Sequence, residues 1–235
     1  MTVSRGHILS EFDTALNSLR DHVIMMASLT QRNFDHARQG LFERDEDHCN
    51  TAIADDEEID LLEVQMDKDG MSVLMRFQPV ASDLRMVIAM MKISVNLERL
   101  SDLVTNLARR ARKVIALPPL AKTDELAPLF DHKARMLDDA VKAFSTGNLA
   151  LVNTMKERDK ELTAKSHEFA SDLTSRMSFE VEGSGHGYLE LIFILRYLEQ
   201  MGNLCTNLGE DVLLAFSKDG VPALTVEERQ GIPQA

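Results

Sequence analysis

Between Val87 and Val114 the apolar residues Val87, Met90, Leu97, Leu100, Val104, Leu107, Ala111 and Val114 follow one another at steps of three, four and seven. That spacing lays them along one side of an α-helix. Proline marks both limits of the run, Gln78-Pro79 before it and Pro118-Pro119 after it. At 1.5 Å per residue the resulting rod is about 50 Å long. An apolar side of that length needs other long rods to cover it, so the chain is confined to an elongated helical bundle.

The rest of the sequence supplies those rods. Leu9, Phe12, Leu16, Leu19, Val23 and Met26 place a first helix over about 4–40. Ile53, Ile59, Leu62, Met66 and Val73 place a second between Arg44 and Gln78, ending there because a residue before proline is pushed out of helical geometry. Pro79 is expected in the first turn of the third helix, where its missing N–H costs nothing. Beyond the proline pair the pattern restarts. A fourth helix is expected over 123–146 (Leu126, Leu129, Met136, Leu137, Val141, Phe144), capped by Gly147, and a fifth over 149–179. Glu182 to Gly187 reads as a glycine-rich loop, followed by a sixth helix over 188–217 and a loosely held tail. Few aromatic residues, no Trp and 13 Met agree with an all-α chain. The methionines, including Met71, Met75, Met86, Met90 and Met91, read as adaptable core.

The two halves are related. Shifting by 101 sets Glu98 on Glu199 and brings Leu103, Thr105, Asn106 and Leu107 onto Leu204, Thr206, Asn207 and Leu208; Asp56 falls on Asp159 at a shift of 103. Near-constant offsets across two helices mean a duplicated three-helix unit. The expected organisation is a first bundle over 1–118, a second over 119–218 and a tail over 219–235.

The formal charge of −12 argues against nucleic acid as a partner, since phosphate backbones demand surplus Lys and Arg. No apolar h-region follows the N-terminal residues, and no stretch is long and apolar enough to span a bilayer. Cys49 and Cys205 are single and far apart, as expected of two inert thiols in a reducing cytoplasm.

Ten of the residues from Asp45 to Asp67 are Asp or Glu, and none is Lys or Arg. Within that stretch Asp56, Asp60, Glu63 and Asp67 step by four, three and four, one acidic row on the second helix. Glu98 and Asp102 stack four apart on the third. In an antiparallel bundle the middles of these helices are neighbours, so Asp56 and Asp60 can face Glu98 and Asp102. Carboxylates gathered from two helices repel unless a cation neutralises them, and an oxygen-only set suits Mg, Ca, Mn or Fe better than Zn. The same row also fits a solvated face partly paired with Arg85, Lys92 or Arg99. No His stands three residues after a Glu as di-iron bundles require, and there is no Gly-rich phosphate loop, Gly-x-Ser-x-Gly or Cys-x-x-Cys.

Gln78-Pro79-x-x-x-Asp83-Leu84-Arg85, with Glu98-Arg99-Leu100-Ser101-Asp102 after it and Asp56-x-x-Ile59-Asp60-x-x-Glu63 before it, resembles the PhoU family of phosphate-specific transport accessory proteins. The resemblance covers nearly the whole chain. It implies two three-helix bundles related by a pseudo-twofold and a cytoplasmic, non-catalytic, negative regulator of the phosphate-starvation response. Such a protein links a phosphate ABC transporter, through its ATPase subunit, to a sensor histidine kinase, and reaches the membrane only through partners. It also implies a homodimer, and paired acidic motifs that in some members bind a divalent or ferric metal ion, with Mg, Mn, Fe and Zn not distinguished. Carried over by position, the metal residues are Asp56, Asp60, Glu98 and Asp102. The second bundle departs: its counterparts read Asp159-Lys160-Glu161-Leu162-Thr163 and Glu199-Gln200-Met201-Gly202-Asn203, so Asp159 and Glu199 would make only a vestigial site. Two other readings stand beside this one, a carboxylate-based metal store or metal-dependent enzyme, and a purely structural helical oligomer.

Overall fold

A computed structural model describes residues 5–179 and 184–216. The expected tail after residue 218 and part of the expected loop, residues 182–183, lie outside the described residues. The chain is all-α, with six long helices arranged as two tandem three-helix bundles. The first bundle is α1 (Arg5–Glu43), α2 (Glu46–Ala54) continued by α3 (Asp56–Phe77), and α4 (Ala81–Ile115). The second is α5 (Ala127–Thr146), a single turn α6 (Ala150–Asn153) continued by α7 (Met155–Phe179), and α8 (Ser184–Phe216). A 3-10 turn, Thr123–Leu126, leads into α5, whose first turn takes Pro128.

The apolar stripe of α4 is buried throughout: Val87, Met90, Leu97, Leu100, Val104, Leu107, Ala111 and Val114 are all inaccessible to solvent. α4 and α8 form the central seam. Lys92 near the start of α4 pairs with Asp211 near the end of α8, while Arg110 reaches Glu190 near the start of α8 at 3.0 Å. The two helices therefore run antiparallel. Shifting the Lys92–Asp211 pair by 101 gives Phe193 and Arg110, which also touch, the guanidinium 4.2 Å from the ring centroid. Structure thus repeats the sequence offset about an axis between Ser101 and Gly202. Away from the seam the bundles are joined by Phe130 of α5, stacked on Phe34 with centroids 5.5 Å apart and edge-on to Phe42 at 5.2 Å.

Several boundaries differ from the sequence expectation, each for a local reason. α1 continues through Gly40 to Glu43, because Gly40 is a contact rather than a stop. A Cβ there would lie 2.3 Å from Cys49 Sγ and about 3 Å from backbone atoms of Cys49 and Asp45. The second long helix is interrupted at Asp55. Asp45 caps α2, its carboxylate accepting from Asp47 N at 2.8 Å, and three acids fill the first turn of α3, where the helix dipole favours them. The fifth helix is interrupted in the same way at Thr154. Pro79 lies ahead of α4 and not in its first turn; Gln78 ends α3 in the left-handed region at φ 48°. α8 begins at Ser184, so Gly185 and Gly187 are helical, and a Cβ on Gly187 would meet Leu120 at 2.7 Å. Gly147 caps α5 at φ 71°, as expected. Cys49 and Cys205 are buried free thiols, pushed up by burial to about 11 and about 12. The methionines divide: Met90 is core, Met86 and Met91 are half-buried, and Met71 and Met75 are exposed on α3 beside Leu61 and Val64.

Candidate acidic site on the first bundle

α3 and α4 are tied where the acids were expected. Ser101, buried on α4, donates its hydroxyl to Asp56 Oδ1 at 2.5 Å. From that anchor Asp60 and Glu63 follow along α3, and Glu98 and Asp102 flank Ser101 on α4. The charges act on one another across the gap. Asp60 is raised above the usual carboxylate range by partial desolvation and by Asp56, Asp102 and Glu57. Glu98 is raised by partial desolvation and by Asp102, Asp60 and Glu63, against a smaller lowering from Arg99. Glu63 is raised by partial desolvation, Asp67 and Asp60. The negative charge of this surface is therefore not internally neutralised. Of the cations expected to pair with the row, Lys92 is engaged with Asp211; Arg32 instead reaches Asp55 at 2.8 Å and Glu58 at 3.8 Å.

Asp60 and Asp102 are exposed, and Asp56 and Glu98 are half-buried. Among the described residues no three His, Cys, Asp or Glu side chains are gathered so as to hold a metal ion. Among these residues no three-ligand cage, for zinc or for a harder cation, is thus pre-formed. A hydrated hard cation makes a smaller demand, since Mg²⁺ keeps several waters and takes one or two carboxylates. The oxygen-only donors and their unrelieved repulsion fit that ion class.

The second bundle solves the same problem internally. Asp159 is buried, pairs with Lys133 of α5, itself 2% exposed, and has His132 Nε2 at 3.6 Å. Burial alone would raise Asp159, but the hydrogen bond from Lys133 and the nearby His132 ring outweigh it and hold the group below its ordinary value. Gly202, the counterpart of Ser101, makes the room. A Cβ there would lie 2.4 Å from Lys133 Nζ and 2.6 Å from Asp159 Oδ2. Glu199 sits apart from this pair, half-buried, with His167 Nε2 at 3.8 Å. Reading the sequence by acidic spacing missed Lys133, although a lysine in register with Leu129, Phe130, Met136 and Leu137 is the kind of break in an apolar stripe that signals a buried ion pair.

These shifts fix a pH dependence. The raised groups Asp60, Glu63 and Glu98 favour folding when protonated, a contribution lost as pH rises through their folded values. Asp211, raised by burial against the opposing Lys92 and Asn96, acts in the same sense. Asp159, lowered, contributes above the ordinary carboxylate value of about 4 and loses that contribution as pH falls through its folded value. In metal-free buffer the urea midpoint is therefore expected to rise as pH is lowered from 7 towards the ordinary carboxylate value of about 4 and to fall below it. A steady decline from pH 7 downward would contradict the unrelieved repulsion.

Comparison with known proteins places the whole arrangement. The family model described as the PhoU domain matches twice, over residues 23–111 and 127–212, once per bundle. A PhoU homologue of Xylella fastidiosa (strain 9a5c), a phosphate-specific transport system accessory protein, is 28% identical over 90% of this chain and 89% of its own length. The protein of that name from Escherichia coli (strain K12) is 26% identical over 87% of this chain and 84% of its own. The crystal structure of PhoU from Pseudomonas aeruginosa superposes with a TM-score of 0.82 at 26% identity, covering 87% of this chain and 98% of that one. The Streptococcus pneumoniae phosphate transport system regulatory protein PhoU shares the fold, with a TM-score of 0.79 at 20% identity, covering 90% of this chain and 99% of that one.

Proposed function

This chain belongs to the PhoU family, and on that premise we propose that it is a non-catalytic accessory protein of phosphate transport that restrains the phosphate-starvation response. It acts in the cytoplasm by contact, as a homodimer, between the ATPase subunit of a phosphate ABC transporter and a sensor histidine kinase. The full-length relatives that carry the accessory name support this reading, and both copies of the domain are present. Among the described residues no helix is long and apolar enough to cross a membrane.

The observation that carries the mechanism is the unmatched charge at the α3–α4 seam. One or two of the carboxylates of Asp60, Glu98 and Asp102 would hold a divalent cation that keeps the rest of its water shell, with Asp56 fixed by Ser101 beside them. When bound, that ion supplies positive charge and no chemistry. Ser101 sets the spacing of α3 and α4 through Asp56, and the free carboxylates bring the helices together only when their repulsion is relieved. The cation would thereby adjust the surface that α3 shows to a partner, where Leu61, Val64, Met71 and Met75 are exposed. In the second bundle Lys133 makes the corresponding pair permanent.

The test is transcription of phosphate-starvation genes under phosphate-replete conditions. Deleting the gene should raise expression, and Glu98→Gln with Asp102→Asn should move it in the same direction while the protein stays folded. Unchanged expression in the deletion strain would reject the regulatory role.

A further inference from the structure

We infer that the cleft at the C-terminal end of α4 binds a phosphate-bearing anion. Arg44, Arg109, Arg112 and Lys113 line it, with Glu46 the lining carboxylate and Ile115 and Ala116 among its walls. It encloses about 630 Å³, within the range of about 300–1,000 Å³ usual for small-molecule sites. On a chain of formal charge −12, four cations around one carboxylate form a local reversal of sign.

A helix C-terminus ordinarily repels anions, because its last carbonyls carry partial negative charge. Here that charge is covered. Arg44 donates Nη2 to Ile115 O at 2.6 Å and to Leu117 O. Its backbone is left-handed, φ 57°, a conformation that a side-chain-bearing residue rarely adopts, and those two bonds are the local return for it. The lining carboxylate is also engaged, since Arg112 donates Nε and Nη2 to Glu46 Oε1 at 3.1 and 2.7 Å. Arg109 is exposed and donates to the neutral amide oxygen of Asn106 at 3.3 Å. Lys113 lies 3.5 Å from Glu190, whose nearer partner is Arg110 at 3.0 Å. Arg109 and Lys113 can therefore turn to an incoming group without breaking a strong pair. Guanidinium forks match the oxygens of phosphate, and a multiply charged group best repays an open, solvated cleft.

The phosphate can belong to a free anion or to a lipid headgroup, and two arms distinguish these sources. Inorganic pyrophosphate is titrated calorimetrically into the full chain at low salt. Vesicles of phosphatidylglycerol, with phosphatidylcholine as control, are tested by co-sedimentation. Each arm is repeated with Arg109→Ala and with Lys113→Ala, whose helical circular dichroism reports folding. Binding in either arm, weakened about tenfold or more by Arg109→Ala and by added salt, is the expected result. Pyrophosphate binding identifies a free anion; vesicle binding without it identifies the headgroup. Binding in neither arm, or binding that both substitutions leave unchanged, overturns the proposal.

Discussion

Replacing Lys133 with methionine is expected to lower the unfolding free energy by about 3 kcal/mol, the lower end of the range of about 3–5 kcal/mol for breaking a buried ion pair. Methionine keeps most of the volume but leaves Asp159 with a full charge and the His132 ring 3.6 Å away, beyond hydrogen-bond reach. The neighbouring imidazole is why the loss stays near the lower bound. Protonation of Asp159 then becomes the cheaper way to remain folded, so the variant should lose less stability than the parent on acidification. Adding Asp159→Leu to Lys133→Met should recover most of the loss, because an apolar pair of similar volume needs no charge matching. The urea midpoints of the two single variants and the double variant check this. A double variant as unstable as Lys133→Met would mean that packing around Gly202, not charge, sets the cost.

Phe130→Ala is expected to cost about 3–5 kcal/mol, the usual loss for a buried phenylalanine. Phe130 is fully buried and belongs to α5, yet its ring partners Phe34 and Phe42 belong to α1. The cavity therefore opens between the bundles as well as within one. Arg38 and Asp131, 2.9 Å apart beside it, are half-exposed and contribute less. Unfolding followed by circular dichroism should shift to lower denaturant as a single transition if the bundles are one cooperative unit. Two separated transitions would show that Phe130 is what makes them one.

Much of the fold could be read from the chain because the signals were long. Eight stripe residues on α4 gave one period with no competing strand pattern, and every one is buried. The duplication was legible because the seam helices conserve Leu-x-Thr-Asn-Leu at a fixed shift. What could not be read depended on close approach between helices. Gly40 looks like a helix stop in sequence, whereas Cys49 leaves no space for a side chain there. The interruption at Asp55 has no proline or glycine to announce it. At the site, spacing identified the acids that share a helix face, and the structure brings those of α3 and α4 within electrostatic reach. Lys133 and Ser101 escaped because their roles are tertiary: one neutralises Asp159 from another helix, the other fixes Asp56 from α4. Met71 and Met75 were mistaken for core because apolar residues at helical spacing are usually buried, whereas both are exposed on α3.

On the proposed function the second bundle carries its neutralising cation covalently, as Lys133, while the first would draw one from solution. Thermal unfolding of metal-free protein with and without millimolar Mg²⁺ tests it directly, with Asp60→Asn/Glu98→Gln run alongside. The parent should be less stable than the variant without the ion, and only the parent should gain several degrees when it is added. Equal gains in both proteins, or none in the parent, would contradict the claim.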